Sequence, residues 1–221
     1  LCGKSISSGA KMREHVYEKG VELVGIESII AMSATMTTGE PTDSGAFDFI
    51  RTELGAPDDA ITVAKDSPFD FQKQALVVVP KNLPDPKNMA FPQAVADATN
   101  VAIKACSGRT LGLFTSYKNL NATYDKVKHC GYQVLKQGDL PRQELTRIFR
   151  EDLSSVLLGT DSFWTGVDVP GEALTCLVID RLPFTNPSDP VCDAISERDK
   201  SAFMNYHVPK AIIKFKQGIG R

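Results

Sequence analysis

Apolar residues along the chain fall into two recurring patterns, short β-branched runs and sets spaced for one face of a helix. Residues 27–34 (ESIIAMSA), 74–80 (QALVVVP), 110–114, 132–135, 155–158 and 174–180 each read as a strand. Bounded runs of this length suit strands with at least one buried face. Between them, Phe47, Ile50 and Leu54 share a helical face, as do Ala94, Ala98, Val101, Ala102 and Ala105. Leu120, Tyr124 and Val127 form a third face, and Leu145, Ile148 and Phe149 a fourth. Helices are also expected over residues 190–199 and 209–217. Thr42, Asp43 and Ser44 offer caps to the first helix, Gly55 and Pro57 stop it, and Pro141 opens the fourth. Residues 1–19 are polar and patternless. Strands alternating with helices imply βαβ units, so the expected fold is α/β with a mostly parallel central sheet flanked by helices.

Four of the strands run into small polar residues: Ser33 to Thr35, Thr115 to Tyr117, Lys136 to Asp139, and Thr160 to Asp168. In a parallel sheet the carboxyl ends share one edge, where open α/β sheets bind ligands. The richest of these stretches, SVLLGTDSFWTGVDVPG at 155–171, passes from a buried run to hydroxyls, glycines and acids. Hydroxyls and backbone N–H groups hold phosphate oxygens, and glycines let a backbone come close. An ordinary strand-to-helix loop has the same composition. The convergence of the four ends therefore weighs more than any one of them.

Composition narrows the class. The 221 residues are 42% hydrophobic and 24% charged, as in a water-soluble globular chain. No window of 18 apolar residues is present, so no membrane span is expected, and the chain does not open on a signal-like apolar core. The five cysteines are scattered without a C-x-x-C pair, which speaks against a metal knuckle or disulfide framework and suits reduced thiols in a cytoplasmic setting. His15, His129 and His207 are isolated, and no metal site is expected. Gly3-Lys4-Ser5 resembles the end of a phosphate-binding loop but lacks the glycine and strand that should precede it. Net charge is −2, yet residues 118–150 carry seven bases against three acids and residues 151–197 nine acids against one base. Such blocks are commonly solvated faces, and they also permit a basic groove on a weakly acidic protein.

One set of motifs is more specific. Ser33-Ala34-Thr35, LFTSY at 113–117, QGD at 137–139, GTDSFWTGVDVPG at 159–171, DRLPF at 180–184 and QGIGR at 217–221 stand in the order seen in superfamily 2 helicases. Their wording resembles the DinG branch of the XPD/DinG-like DNA helicases. The resemblance covers about residues 27–221. It implies a three-layer RecA-like fold, with 1–39 as the tail of a first motor domain or a linker and 40–221 as the second motor domain, cut within its last motif. It implies an enzyme, an ATP-dependent DNA helicase active in DNA repair, in which ATP and Mg²⁺ lie between two RecA-like domains of one polypeptide and single-stranded or tailed DNA crosses both. Localisation would be cytoplasmic, or with the nucleoid in a bacterium.

Carried over motif by motif, Thr115, Ser116, Tyr117, Thr160, Ser162 and Trp164 resemble DNA contacts, the two aromatics as base-stacking platforms. Gly166, Asp168, Gln217, Gly220 and Arg221 resemble the ATP side, with Gln217 and Arg221 catalytic and the arginine fork facing the γ-phosphate. Ser33 and Thr35 resemble interdomain coupling residues. The chain lacks a Walker A lysine and an acidic Mg²⁺ motif, and an iron–sulfur cluster would belong to the missing part. This fragment is therefore expected to be inert as an ATPase on its own. Two other readings stay open: a nucleic-acid-binding module of the same fold without ATP turnover, and an unrelated nucleotide-binding α/β enzyme. The latter calls for a glycine-rich loop after the first strand, and none is present.

Overall fold

A computed structural model describes residues 8–20, 25–43, 45–167, 169 and 171–220. These fall into two compact units, one formed by residues 1–76 with 184–213, the other by 77–183 with 214–221.

The second unit holds the sheet. Four strands, β1 (Thr110–Leu113), β2 (Val134–Lys136), β3 (Val156–Gly159) and β4 (Cys176–Ile179), lie in the order β2-β3-β1-β4, all parallel. Three helices join them: α1 (Phe91–Ala105) leads into β1, α2 (Tyr117–Val127) links β1 to β2, and α3 (Arg142–Glu151) links β2 to β3. A fourth, α4 (Val208–Ile219), closes the chain; its residues from Lys214 onward belong to this unit.

Successive strand residues point to opposite faces, and each face has its own core. On one side Val156, Leu158 and Phe114 meet Phe91, Val95 and Ile103 of α1 and Leu120 and Val127 of α2. On the other, Leu111, Leu113, Leu135 and Leu157 meet Leu145 and Phe149 of α3, the loop residues Phe163, Trp164, Val167 and Val169, and Phe215 of α4. The result is the expected three-layer α/β arrangement. β1 and β3 are central and wholly buried, while β4, at an edge, is half-buried along its length.

In the first unit, a helix at Ser8–Met12 continues as a π-helical turn, Arg13–Glu18, and packs on the helix Asp48–Leu54. Arg13 ties the two together by donating to the carbonyls of Gly55 (3.2 Å) and Ala56 (2.6 Å). The expectation of a patternless start is thus corrected: a short helix with few apolar positions is held by a neighbour, which periodicity cannot show. The Asp48 helix ends at Gly55 as expected, but Thr42 and Asp43 do not cap it; Asp43 instead accepts from the N–H of Glu40 (3.0 Å). Ser44 and the Gly3-Lys4-Ser5 segment lie outside the described residues.

Two expected strands are absent among the described residues. Segments 27–34 and 74–80 pair with no strand, and Ile30, Met32 and the run Leu76 to Val79 are exposed. Their β-branched composition fits a strand, but a strand is completed by its partner. With no strand ahead of it, Ser33 is not a strand end. It accepts from the N–H of Thr35 at 3.2 Å in a local hydroxyl turn, within the first unit.

Candidate functional site at the carboxyl edge of the sheet

Parallel register brings the strand ends together. Leu113 lies level with Gly159 on one side and Ile179 on the other, and Lys136 level with Leu158. The residues just beyond, Thr115, Gln137, Thr160 and Asp180, therefore emerge side by side.

Asp180 organises one half of this edge. Its side chain is wholly shielded from solvent. It accepts from the Thr115 N–H (2.9 Å), the Thr115 hydroxyl (3.3 Å) and the Asn119 amide (2.6 Å). Burial pushes its carboxyl above the usual 3.8, while the bonds from Asn119 and Thr115 and the charge of Arg181 pull the other way. The next residue, Arg181, donates from Nε to the Thr115 hydroxyl (3.0 Å) and from Nη2 to the Ser116 hydroxyl (3.5 Å), and its guanidinium lies 5.8 Å from the Phe91 ring centre. Ser116 also caps α2 by accepting from the Asn119 N–H (3.3 Å).

Gln137 organises the other half. Its Oε1 accepts from both the N–H (2.6 Å) and the hydroxyl (3.0 Å) of Thr160, and its Nε2 donates to the Tyr117 phenol oxygen (2.8 Å). One amide thus joins the ends of β2 and β3 to the first turn of α2.

The loop after β3 is anchored from within by Phe163, Trp164, Val167 and Val169, all buried. Between these anchors Thr165 and Gly166 are exposed. Arg142, at the start of α3, donates to the Thr165 carbonyl and sits 5.8 Å from the Phe163 ring centre. Gly166 has φ +66°, a left-handed conformation that favours glycine, and a Cβ there would lie 2.9 Å from the mobile end of the Arg142 guanidinium. From α4, Lys214 pairs with Asp161 and lies 5.9 Å from the Trp164 ring centre, and Gly218 lets the helix close on that ring.

These positions revise part of the expected site. Trp164 is 0% exposed and donates from Nε1 to the Phe114 carbonyl (3.3 Å). It is a core residue, with no ring face open to a base. Thr160 is 6% exposed and its hydroxyl donates to Gln137, so it is not displayed at the surface of the edge. The Thr115 hydroxyl both donates to Asp180 and accepts from Arg181, which spends it inside the loop. Ser116 is half-buried, Ser162 exposed and Tyr117 55% exposed, and these three remain at the surface of the edge. Gln217 is half-buried in the last turn of α4 and Gly220 is exposed just past it. Asp168 and Arg221 lie outside the described residues. Asp180, Arg181 and the bridging role of Gln137 were missed, although DRLPF and QGD stand at the carboxyl ends of β4 and β2. A charged or amide residue in that position was the available signal. Among the described residues no group of three or more His, Cys, Asp or Glu side chains surrounds a cation site, and no helix is long and apolar enough to cross a membrane.

A parallel sheet with helices on both faces and a polar carboxyl edge defines an α/β ligand-binding domain of the RecA-like kind. The comparisons specify which. Residues 100–221 match the family model of the helicase C-terminal domain, and the chain belongs to that family. It is 32% identical over 208 residues to the 3'-5' exonuclease DinG of Bacillus subtilis, covering 88% of this chain and 22% of that protein. It is 34% identical over 197 residues to the ATP-dependent DNA helicase YoaA of Haemophilus influenzae, covering 87% of this chain and 30% of that one. It is likewise 34% identical over 209 residues to the ATP-dependent helicase DinG of Mycobacterium tuberculosis, covering 90% and 31%. The chain thus spans between a fifth and a third of the length of these relatives.

Proposed function

We propose that this chain is the second motor domain of an ATP-dependent DNA helicase of the DinG kind, binding single-stranded DNA and completing an ATP site between two domains. Residues 1–39 would then be the tail of the first motor domain or a linker, and Ser33 and Thr35 would couple the two. The observation that carries this reading is the set of polar groups held at four neighbouring strand ends, Ser116 and Arg181 with Asp180, Gln137 with Tyr117, and the loop to Gly166, in a helicase C-terminal domain. The names of the two 34%-identical relatives support ATP as fuel, and one of them names DNA.

The residues at hand fit a polyphosphate in part. The exposed backbone at Gly166, with the Arg142 guanidinium beside it, offers an N–H group and a cation, and Gln217, Gly220 and Arg221 would join them, although the Gly220 N–H is held by the Lys216 carbonyl. ATP bound there would supply the free energy of phosphoryl transfer. The described residues do not fit Mg²⁺ by themselves, so the metal is assigned jointly to the other motor domain. DNA would run past Ser116 and Ser162, with a base on Tyr117. Backbone contacts of this sort position a strand without reading its sequence. We assign the complete protein to the cytoplasm.

The test is a comparison of Arg221→Ala with wild type in the complete polypeptide. Steady-state ATPase should fall by about 10³-fold or more, the scale of an arginine finger, while nucleotide-free binding to single strands stays unchanged. Hydrolysis near wild type would remove Arg221 from the ATP site. A protein that binds single strands but never hydrolyses ATP in either form would be the binding module without turnover.

A further inference from the structure

We infer that Arg181 is a direct contact to a backbone phosphate of the bound single strand, and that Asp180 and Thr115 are positioning residues that hold its guanidinium for that purpose. The inference rests on the DNA reading above and adds to it a residue that motif matching did not supply.

The geometry assigns the charges as follows. Asp180 is a buried carboxylate next in sequence to a cation, yet their closest approach is 3.7 Å, beyond hydrogen-bond reach. The carboxylate is satisfied by neutral donors instead: the Thr115 N–H, the Thr115 hydroxyl and the Asn119 amide. Arg181 turns Nε to the Thr115 oxygen and one Nη2 hydrogen to Ser116, and its guanidinium rests near Phe91. A guanidinium carries five N–H donors, so three are left for a ligand among the described residues. The side chain is 37% exposed, enough to reach one. Ser116 adds a donor. Its oxygen accepts from Asn119 and Arg181, which leaves its own O–H free to point outward. A fork of N–H groups beside a hydroxyl donor matches a phosphate oxygen pair. Arg181 is also the single base between Glu151 and Glu197. Its bonds to the Thr115 and Ser116 hydroxyls hold this isolated base at the carboxyl edge rather than on a block of solvated charge.

The competing role is structural: Arg181 as a strap across the Thr115–Ser116 turn. The two differ in salt dependence. A phosphate contact on a single strand contributes a slope of about 0.7 in log affinity against log salt; a strap contributes none. The experiment measures binding of a fluorescent oligo-dT to residues 1–221 over a series of salt concentrations, for wild type, Arg181→Gln and Arg181→Lys. Gln keeps a donor for Thr115 and drops the charge. We expect its slope to be shallower by about 0.7, with weaker binding at low salt, and Lys to restore the slope. Weaker binding at unchanged slope in Arg181→Gln would make Arg181 a strap and overturn the inference while leaving the DNA reading in place. No salt-dependent binding by wild type would overturn both. Should Arg181→Gln fail to fold, phenylglyoxal modification of wild type, read by mass spectrometry, decides. Oligo-dT should protect Arg181. No protection, or equal protection by ATP alone, would overturn the assignment.

Discussion

At the residue scale the edge is governed by a carboxylate that water does not reach. Asp180 is buried with neutral donors around it, and burial raises its carboxyl above 3.8. The folded state therefore holds the proton more tightly than the unfolded chain does. By linkage, stability contributed by such a group is greatest at low pH and declines as pH rises from 3.8 through the raised value, the reverse of the ordinary salt-bridged aspartate. Asp180→Asn has no proton to lose and is the reference. The stability of wild type minus that of Asp180→Asn, from denaturant unfolding, should fall with rising pH across that window and level off above it. A difference that grows with pH would mean the Arg181 charge outweighs burial. None of this was legible in the sequence. DRLPF shows an acid beside a base and nothing of where either points; that the acid turns inward to Thr115 and Asn119 depends on β4 lying beside β1. The same applies to Thr160 and Trp164, whose motif is plain but whose side chains face Gln137 and the core.

At the scale of elements, legibility followed partnership. β1 and β3 were readable because both are central and buried on both faces, so their four-residue runs, TLGL and VLLG, carry no charge and a single hydroxyl, that of buried Thr110. α1 forms where the spacing placed a helix, but on another face: Phe91, Val95, Ala96, Thr99 and Ile103 are buried, whereas Val101 and Ala105 of the expected face are exposed, because alanine spacing is a weak guide beside the larger Phe91 and Ile103. Pro92 sits in its first turn where it does no harm. Segments 27–34 and 74–80 have the same local composition and failed, because nothing in a run of valines states whether a partner exists. What binds the ends of the successful elements together is also non-local. Gln137 joins β2, β3 and α2 through one amide. Gln137→Ala strands a nearly buried N–H and hydroxyl on Thr160, a loss of about 1–3 kcal/mol. It also releases the Tyr117 phenol. In a double-mutant cycle, Gln137→Ala and Tyr117→Phe should be non-additive by about 0.5 kcal/mol or more in unfolding free energy, as expected of contacting residues. Strict additivity would show that the Gln137–Tyr117 bond contributes nothing and that Tyr117 is oriented by α2 alone.

At the scale of the whole molecule, the polar edge and the apolar surface are separate features with different consequences. The edge lies at the carboxyl end of a closed-packed three-layer unit. Across the sequence boundary where that unit begins runs Ala75-Leu76-Val77-Val78-Val79, uncharged, β-prone and free of proline, with Leu76 88% and Val78 73% exposed. Unpaired backbone in a segment of that composition is a template for pairing with another chain. Scattered apolar side chains on a helix are a different matter: Val101 on α1 is 68% exposed, but its backbone bonds are already made within the helix. The two valines thus offer a matched comparison in which exposure is nearly equal and only backbone pairing differs. Residues 1–221 should self-associate with rising concentration, seen in sedimentation velocity or light scattering. Val78→Lys should suppress that association strongly, because a charge within the run opposes edge-to-edge pairing. Val101→Lys should leave it almost unchanged. Equal suppression by both would assign the association to general surface hydrophobicity. No association by wild type would show that the exposed 75–79 run is not a pairing template in solution.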